Sequence, residues 1–237
     1  MSNPLNKLKK TYWRLLSDQS QTCQVIKYFN NAGADRSWSI LDVACGYGRN
    51  LKALKSVGFN PTGVDINPVS VKAVRELGFN CYFPDDPEVM EKQWDAILMS
   101  HIIEHFDYKS LFDMMNTYLS ILKPNGVLII ATPLLNNRFY DNFDHVKPYT
   151  PIAIENVFGK RGYQVQFHSD HELLLDDLWL RRRPYRLQLF PSLLRRRMSP
   201  AKFGLALINV ALVAAYLITF KLIGTTDGWV GIYRLKG

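Results

Sequence analysis

Short apolar runs alternate with helical stretches between residues 39 and 167, and this alternation is the clearest pattern in the chain. The apolar runs predict six buried strands, at Ile40–Ala44, Thr62–Asp65, Cys81–Phe83, Trp94–Met99, Val127–Thr132 and Tyr163–Phe167. The intervening stretches predict helices at Asn50–Val57, Pro68–Leu77, Ser110–Leu122 and Pro151–Arg161. Strands that alternate with helices form a parallel sheet covered on both faces. The pattern therefore predicts a doubly wound α/β fold, whose ligands bind at the carboxyl ends of the strands.

A glycine-rich turn follows the first predicted strand, in the segment LDVACGYGRN at residues 41–50. Gly46 and Gly48 let the backbone approach a ligand closely, because neither carries a Cβ atom. The helix that begins behind them presents free N–H groups at its amino end, and these suit a carboxylate. Taken alone, the turn is equally compatible with a tight strand–helix connection that binds nothing.

Asp65 ends the second predicted strand. A carboxylate at this position can accept hydrogen bonds from both hydroxyls of a ribose, so the turn and Asp65 together predict a nucleoside site. A dinucleotide-dependent dehydrogenase is a rival hypothesis. Its G-x-G-x-x-G fingerprint requires a third glycine, and the chain has Leu51 there. The sequence therefore disfavours the dehydrogenase.

Four segments between residues 38 and 168 carry a family resemblance: LDVACGYGRN, GVDINP, WDAILMSHIIEHF and LKPNGVLIIATP. In this order they resemble the motifs of class I S-adenosylmethionine-dependent methyltransferases. The nearest subgroup comprises small-molecule O- and C-methyltransferases, including ubiquinone-biosynthesis enzymes. The resemblance implies the Rossmann-like methyltransferase fold, with seven mostly parallel strands, and S-adenosyl-L-methionine as the cofactor. Residues 228–235 fit the family's antiparallel last strand.

The resemblance also implies cofactor contacts for residues at the first two strand ends. Asp42, Gly46 and Gly48 would line the methionine part of the cofactor. Asp65 would hold the ribose, and Ile66 would pack on the adenine.

Further contacts are implied at the next strand ends. Asp85 matches the acid that often holds the adenine amino group, while Met99 and Ser100 would flank the sulfonium. Ala44 is also placed at the cofactor, although it replaces the first glycine of the commonest pattern. Some ubiquinone and menaquinone methyltransferases carry the same replacement.

Methyl transfer to oxygen or carbon usually requires a base that takes the acceptor's proton. Three of the five histidines fall in the loops predicted after the fourth and fifth strands, where such a base would stand. His101, Glu104 and His105 are spaced i, i+3, i+4 and would share one face of a helical segment, while His145 lies in the later loop. These four residues form the candidate catalytic set. We favour His105 and His145 as the base or the acceptor-orienting residue.

The same four residues leave two other interpretations open. In some ubiquinone-type and small-RNA methyltransferases, an acid-x-x-Glu-His segment resembles a divalent-metal site, and His101 stands here in place of the acid. Such a set suits Mn²⁺, Fe²⁺ or Zn²⁺ better than Mg²⁺. A purely structural role is the second alternative. Acid–base chemistry or acceptor contact is preferred over both, and a metal is the least favoured.

The positive charge of the chain is concentrated in one segment. Of its 29 basic residues, eight lie between Arg181 and Lys202, where there is no acidic residue. The other 21 basic residues match the 21 acidic ones, so the rest of the chain is formally neutral. Eighteen uncharged, mostly apolar residues follow directly, at Phe203–Phe220. Their length falls at the threshold for a membrane span.

Three interpretations of this segment remain open: a helix lying on or dipping into a membrane, a helix buried against protein, and a true crossing. Membrane attachment is favoured, because apolar length and clustered arginine occur together. A nucleic acid is disfavoured as the partner, because leucine and phenylalanine interrupt the arginines. A lipid-linked acceptor then becomes an alternative to a free small molecule.

The organisation predicted for the chain is a single domain with four parts. These are a helical cap at 1–37, the cofactor-binding core at 38–168, a basic and apolar helical insertion at 169–227, and the final strand at 228–235. Three scattered cysteines and a first segment without an apolar core predict a cytoplasmic protein, peripheral to the inner face of a membrane if attached. The functional hypothesis is methyl transfer to oxygen or carbon of a small or lipid-linked acceptor. A non-catalytic, membrane-associated nucleoside-binding module is the alternative.

Overall fold

The computed structural model describes residues 19–159, 168–187 and 200–237. Its strands are β1 (Ile40–Val43), β2 (Thr62–Val64), β3 (Cys81–Tyr82), β4 (Trp94–Ser100), β5 (Leu122–Pro133), β6 (Leu173–Arg183) and β7 (Thr225–Leu235). Its α-helices are α1 (Gln19–Asn31), α2 (Arg49–Ser56), α3 (Pro68–Glu76), α4 (Pro87–Met90), α5 (Tyr108–Ser120), α6 (Pro151–Phe158) and α7 (Pro200–Ile218). Short 3-10 helices occupy Ile103–His105 and Phe139–Asp141.

The strands form one sheet in the order β3-β2-β1-β4-β5-β7-β6. Strands β1 to β5 pair in parallel, and β7 runs antiparallel to β5, with Ile129 opposite Ile232. The predicted seven-stranded, mostly parallel, doubly wound fold is confirmed. Successive strands are added on one side of β1 and then on the other, so the strand order reverses between β1 and β4. Ligands of open α/β sheets bind at such a point.

The central strands are apolar without interruption because both of their faces are buried. In β4, Ile97 and Met99 belong to the core on one face of the sheet, whereas Ala96 and Leu98 belong to the core on the other. Neighbouring strands divide their side chains in the same way. Two packed layers therefore fix the strand ends on which the candidate site is built.

The carboxyl-terminal part differs from the prediction in one element. Strand β6 occupies the start of the segment expected to be helical, as the sheet-edge neighbour of β7. Burial along β6 does not alternate, because an edge strand is defined by its backbone pairing more than by a buried face. The last strand predicted at 228–235 is confirmed within β7. The strand predicted at Tyr163–Phe167 and residues 1–18 of the predicted helical cap lie outside the described residues.

Contacts divide the chain into two compact units, Met1–Trp179 with Gly228–Gly237, and Leu180–Asp227. In the second unit, Arg181 and Arg183 each form an ion pair of 2.7 Å with Asp227. The hydroxyl of Tyr216, in α7, donates to the carbonyl of Arg182 at 2.7 Å. Among the described helices, we find none that combines the length and the apolar character needed to cross a membrane.

Replacing Gly63 with alanine is expected to destabilise the fold by about 1–3 kcal/mol, the usual cost of overpacking a core. An added Cβ atom would lie 2.7 Å from the sulfur of Cys45 and 3.0 Å from Cδ1 of Leu51, both of which are buried. Urea unfolding measures the effect. Gly204→Ala in α7 is the control, because its Cβ atom meets nothing within 4 Å. Equal stability of Gly63→Ala and the wild type would contradict the packing described here.

Candidate active site

The glycine-rich turn after β1 is built from backbone in the left-handed region. Gly46 and Gly48 have φ angles of 54° and 75°, and Gly48 is the N-cap residue that directly precedes α2. A Cβ atom on Gly46 would meet no atom within 4 Å, so this turn borders open space that a ligand can fill. Ala44 also has a positive φ, of 56°. Its conformation is one that favours glycine, which explains why the commonest pattern has glycine at this position.

Asp65 joins the ends of β1 and β2. Its Oδ2 atom accepts a hydrogen bond of 2.8 Å from the amide of Gly46, and its Oδ1 atom accepts one of 2.8 Å from the amide of Asn67. A carboxylate offers about four acceptor positions, so both oxygens retain capacity for a ribose hydroxyl. The neighbouring Ile66 side chain is 81% exposed. The two signals combined in the sequence analysis therefore meet in space.

An apolar cavity of about 270 Å³ opens beside Asp65. Its lining includes Val43, Ala44, Val64, Asp65, Ile66, Pro84, Ile102 and Phe106. Its apolar walls, together with a carboxylate on one side, suit a nucleoside with a flat base and a polar sugar. Asp85 is exposed and adjoins Pro84 in the chain, but it does not line this cavity.

Asp42 is fully buried below the turn, and neither oxygen of its carboxyl group has a hydrogen-bond partner among the described residues. Burial raises the pKa of Asp42 to about 7, against the opposing influence of Asn50 and of the charge on Arg49. A buried polar group without a partner is costly unless a ligand or water supplies one. Asp42 therefore fits a site whose polar ligand reaches the turn.

Met99 and Ser100 end β4 with different surroundings. Met99 has no exposed surface and belongs to the hydrophobic core. Ser100 is 8% exposed and precedes His101, whose φ of 57° turns the chain out of the strand. The roles of both residues beside the sulfonium stay predictions.

Glu104 anchors a hydrogen-bond network behind the strand ends. Its Oε1 atom lies 3.2 Å from Nδ1 of His101, and its Oε2 atom accepts a 2.9 Å hydrogen bond from the hydroxyl of Thr132. Nε2 of His101 lies 3.1 Å from the side-chain oxygen of Gln21, in α1. Burial acts to raise the pKa of Glu104, but His101 and Thr132 hold this pKa below its ordinary value. Glu104 is thus a fixed, charged carboxylate.

His105 and His145 stand next to each other beyond this network, with ring centres 5.0 Å apart in an edge-to-face arrangement. Nδ1 of His105 lies 3.2 Å from the carbonyl oxygen of Asp144 and 3.2 Å from its carboxylate. Nδ1 of His145 lies 2.8 Å from the carbonyl oxygen of Phe139, and its Nε2 atom lies 3.0 Å from the amide nitrogen of Asn142. The structure therefore brings these two histidines together from two separate loops.

The four candidate residues do not converge as one metal-ligand set. Potential donor atoms of Glu104, His105 and His145 lie within 4.8 Å of one another, and His101 is not among them. Both oxygens of Glu104 and both nitrogens of His145 already take part in hydrogen bonds. This geometry favours a hydrogen-bonded group of side chains over a metal centre.

Sequence patterns did not reveal several residues of the site. Gln21 lies 80 positions before its partner His101, and Thr132 lies 28 positions after its partner Glu104. Asp144 directly precedes His145, but no spacing in the sequence marks it as a partner of His105. Only the packing of separate elements creates these pairs.

A glycine-rich turn, a strand-end carboxylate and an apolar cavity at the switch point of this sheet define a cofactor-binding α/β protein of the Rossmann-like class. The chain belongs to the methyltransferase domain family, which it matches over residues 12–167. It therefore carries an S-adenosylmethionine-dependent methyltransferase domain. This family membership confirms the predictions of the enzyme class and of S-adenosyl-L-methionine as its cofactor.

The chain is similar to several known proteins. It is 31% identical over 101 residues to 2-methyl-6-phytyl-1,4-hydroquinone methyltransferase from Synechocystis, a match that spans 39% of this chain and only 31% of the relative. A methyltransferase structure from Archaeoglobus fulgidus has a TM-score of 0.58 at 20% identity, covering 95% of this chain and 99% of that one. Magnesium protoporphyrin IX methyltransferase from Synechocystis, with bound S-adenosylmethionine, has a TM-score of 0.55 at 12% identity, covering 92% and 79%. These structural likenesses concern the fold.

The raised pKa of Asp42 predicts a pH dependence of stability in the cofactor-free protein. Between about pH 4 and pH 7, folded Asp42 keeps a proton that the unfolded chain has released. The free energy of unfolding that the protonated Asp42 contributes is complete at lower pH, and it is lost as pH rises through that range. Asp42→Asn cannot ionise, so wild type should lose roughly 2–3 kcal/mol relative to it between about pH 5 and pH 8.

Urea unfolding at both pH values measures this difference. Asp35→Asn is the control, because Asp35 is exposed and its pKa is lowered by Ser37, so its titration falls below this range. Parallel pH profiles of the wild type and Asp42→Asn would contradict the prediction.

Proposed function

We propose that this chain transfers a methyl group from S-adenosylmethionine to an oxygen or carbon atom of a small, apolar acceptor at a membrane surface. The observation that carries the proposal is the contact between the carboxylate of Asp65 and the amide of Gly46, beside the apolar cavity. At the strand ends, the carboxylate would accept hydrogen bonds from a ribose, and the apolar walls of the cavity would contact a base.

Each part of the cofactor has residues that suit it. Asp42, Gly46 and Gly48 would hold the methionine part, where the buried carboxyl group of Asp42 lacks a partner. Asp65 would accept hydrogen bonds from the ribose, and Ile66 would pack on the adenine through its exposed side chain. The cofactor, when bound, supplies an electrophilic methyl group on a positively charged sulfur.

The remaining cofactor contacts rest on position. Asp85 follows Pro84, which lines the cavity, and would be close to the edge of the base. Ser100, at the end of β4, would lie near the sulfonium, and Met99 would support it from the core. Ala44 lines the cavity and would let the turn lie close to the cofactor.

The acceptor would bind beside the loop that carries His145. Exposed aromatic side chains occur in this loop, at Tyr140 and Phe143, and the buried ring of Phe139 packs against His145. Exposed large apolar residues near a group of polar side chains are typical of a small-molecule site. A hydroquinone ring is the acceptor named for the Synechocystis relative, and a phenolic or quinol acceptor suits this aromatic loop. His101, Glu104, His105 and His145 would order the acceptor or exchange its proton.

Membrane attachment is proposed for the second unit. Helix α7 and the turn after it expose apolar side chains, at Leu207, Ile208, Val210, Leu217, Ile218, Phe220, Leu222 and Ile223. Phe220 is 90% exposed, and both Phe220 and Lys221 have left-handed backbone conformations. Two successive left-handed conformations cost free energy in residues other than glycine. The turn therefore holds the exposed side chain of Phe220 in a strained backbone conformation. Asp227 already pairs with Arg181 and Arg183, so attraction to anionic lipid would come from the other basic residues between 182 and 202, of which 195–197 lie outside the described residues.

Asp65→Ala is expected to weaken binding of S-adenosylhomocysteine roughly 100-fold, the effect of losing two hydrogen bonds to a charged group. Calorimetry measures the affinity, and thermal unfolding verifies that the variant is folded. Asp35→Ala, which removes an exposed carboxylate that bonds to Ser37 and does not line the cavity, is the matched control. A wild-type protein without affinity for this compound would refute the proposed site.

Transfer of a labelled methyl group to prenylated hydroquinones, or to components of a lipid extract, tests the catalytic half of the proposal. The wild type should label an acceptor, and Asp65→Ala should not. Tight binding of S-adenosylhomocysteine without any transfer would instead favour the non-catalytic nucleoside-binding module.

Flotation with anionic phospholipid vesicles tests the membrane proposal. Phe220→Asp combined with Leu222→Asp should lower the partition onto vesicles by about tenfold to hundredfold, because two apolar groups lose their burial in lipid. Ile152→Asp is the control, since Ile152 is an exposed apolar residue of α6, in the other unit. Absence of flotation by the wild type, or equal flotation by the double variant, would contradict the attachment.

A further inference from the structure

Three of the four candidate catalytic residues have their polar atoms engaged by neighbours. The two oxygens of Glu104 lie against His101 and Thr132, so its carboxylate is an anchor. The second nitrogen of His101 lies 3.1 Å from the oxygen of Gln21, which leaves His101 without a free ring nitrogen. Neither residue therefore presents a basic atom to an acceptor in this arrangement.

His145 is also engaged at both ring nitrogens. Its Nδ1 atom donates a hydrogen bond to the carbonyl oxygen of Phe139, and the side-chain amide of Asn142 donates to its Nε2 atom. Both partners belong to the loop that contains His145. This histidine therefore fastens its own loop, in the neutral tautomer with the proton on Nδ1.

His105 differs from the other three residues. Its Nδ1 atom faces two acceptor atoms, the carbonyl oxygen and the carboxylate of Asp144, each 3.2 Å away. Its Nε2 atom has no hydrogen-bond partner in the part of the chain that the structure describes. Two acceptors at Nδ1 hold the proton on that atom, so the lone pair is on Nε2.

The fastened loop explains why Asp144 reaches His105. The amides of Val146 and Lys147 donate to the backbone carbonyl of Glu104, at 2.8 and 3.2 Å. His145 closes the other side of the loop through Phe139. Asp144 lies between these attachments and is presented to the ring of His105.

We propose that Nε2 of His105 is the proton acceptor of the methyl transfer, and that Asp144 is the positioning residue that holds its tautomer. This assignment rests on the proposed function. The acceptor's O–H or C–H proton passes to Nε2, and the freed electron pair forms the new bond to the methyl carbon. The electron pair of the broken carbon–sulfur bond remains on sulfur, which becomes a neutral thioether. His145 acts only by holding the loop that carries Asp144.

The first test needs no methyl acceptor. In protein labelled with ¹⁵N-histidine at about pH 8.5, where an ordinary imidazole is neutral, long-range ¹H–¹⁵N spectra report the tautomer of each ring. We expect the Nδ1–H tautomer for both His105 and His145. Asp144→Ala should shift His105 toward the Nε2–H tautomer and leave His145 unchanged. Asp141→Ala is the matched control, because Asp141 is an exposed carboxylate of the same loop that pairs with Arg138.

Reactivity separates the two histidines further. Diethyl pyrocarbonate modifies an unprotonated ring nitrogen, and peptide mass spectrometry locates the product. His105 should react at least about fivefold faster than His145, whose Nε2 atom is occupied by one hydrogen bond. Faster modification of His145, or an Nε2–H tautomer of His105 in the wild type, would overturn the assignment.

Kinetics complete the test once transfer to a hydroquinone or a lipid component is observed. His105→Gln should lower kcat by about 10²–10⁴-fold, the usual contribution of a general base, without weakening S-adenosylhomocysteine binding. Asp144→Ala should lower kcat with KM unchanged. Full kcat in His105→Gln would refute the role of His105, whereas lost affinity for S-adenosylhomocysteine in the wild type would refute the proposed function instead.

Discussion

The hydrogen bond from the amide of Gly46 to the carboxylate of Asp65 is the contact on which the candidate site depends. It fixes the glycine-rich turn after β1 against the end of β2, and Asp65 is held in turn by the amide of Asn67. A parallel sheet places these two strand ends side by side, so residues 19 positions apart in sequence become one part of the candidate site. The exposed Ile66 and the apolar cavity extend the same unit toward a base.

The network around Glu104 performs the corresponding function on the other side of the switch point. Its buried carboxylate joins the end of β4 to β5 through Thr132, and to α1 through His101 and Gln21. The backbone carbonyl of Glu104 accepts hydrogen bonds from the amides of Val146 and Lys147, in the loop that contains His145. A buried charge with several hydrogen bonds has one favourable arrangement. Glu104 therefore also fixes the position of the backbone from which the side chain of His105 projects. The turn at Gly46 and the group of histidines are therefore each organised by one carboxylate.

The sequence predicts most of the fold because central parallel strands are apolar on both faces and end at turns. Strands β1, β2, β4 and β7 follow the predicted segments to within a few residues. Strand β6 does not, because an edge strand with mixed burial carries no alternating signal. The proximity of the Gly46 turn and Asp65 was predictable for the same reason as the fold, since both occupy strand ends.

The arrangement of the histidines could be predicted only as a set of residue types. The histidines stand out by their position after β4 and β5, yet their roles depend on partners such as Gln21, Asn142 and Asp144, which no spacing relates to them. The sequence does not distinguish His105 from His145, whereas the hydrogen bonds do. Both ring nitrogens of His145 have hydrogen-bond partners, while only Nδ1 of His105 has one among the described residues. A base needs a free lone pair on one ring nitrogen. Whether a histidine has one depends on the hydrogen-bond partners that its loop supplies, and these partners are brought to the ring only when the chain folds.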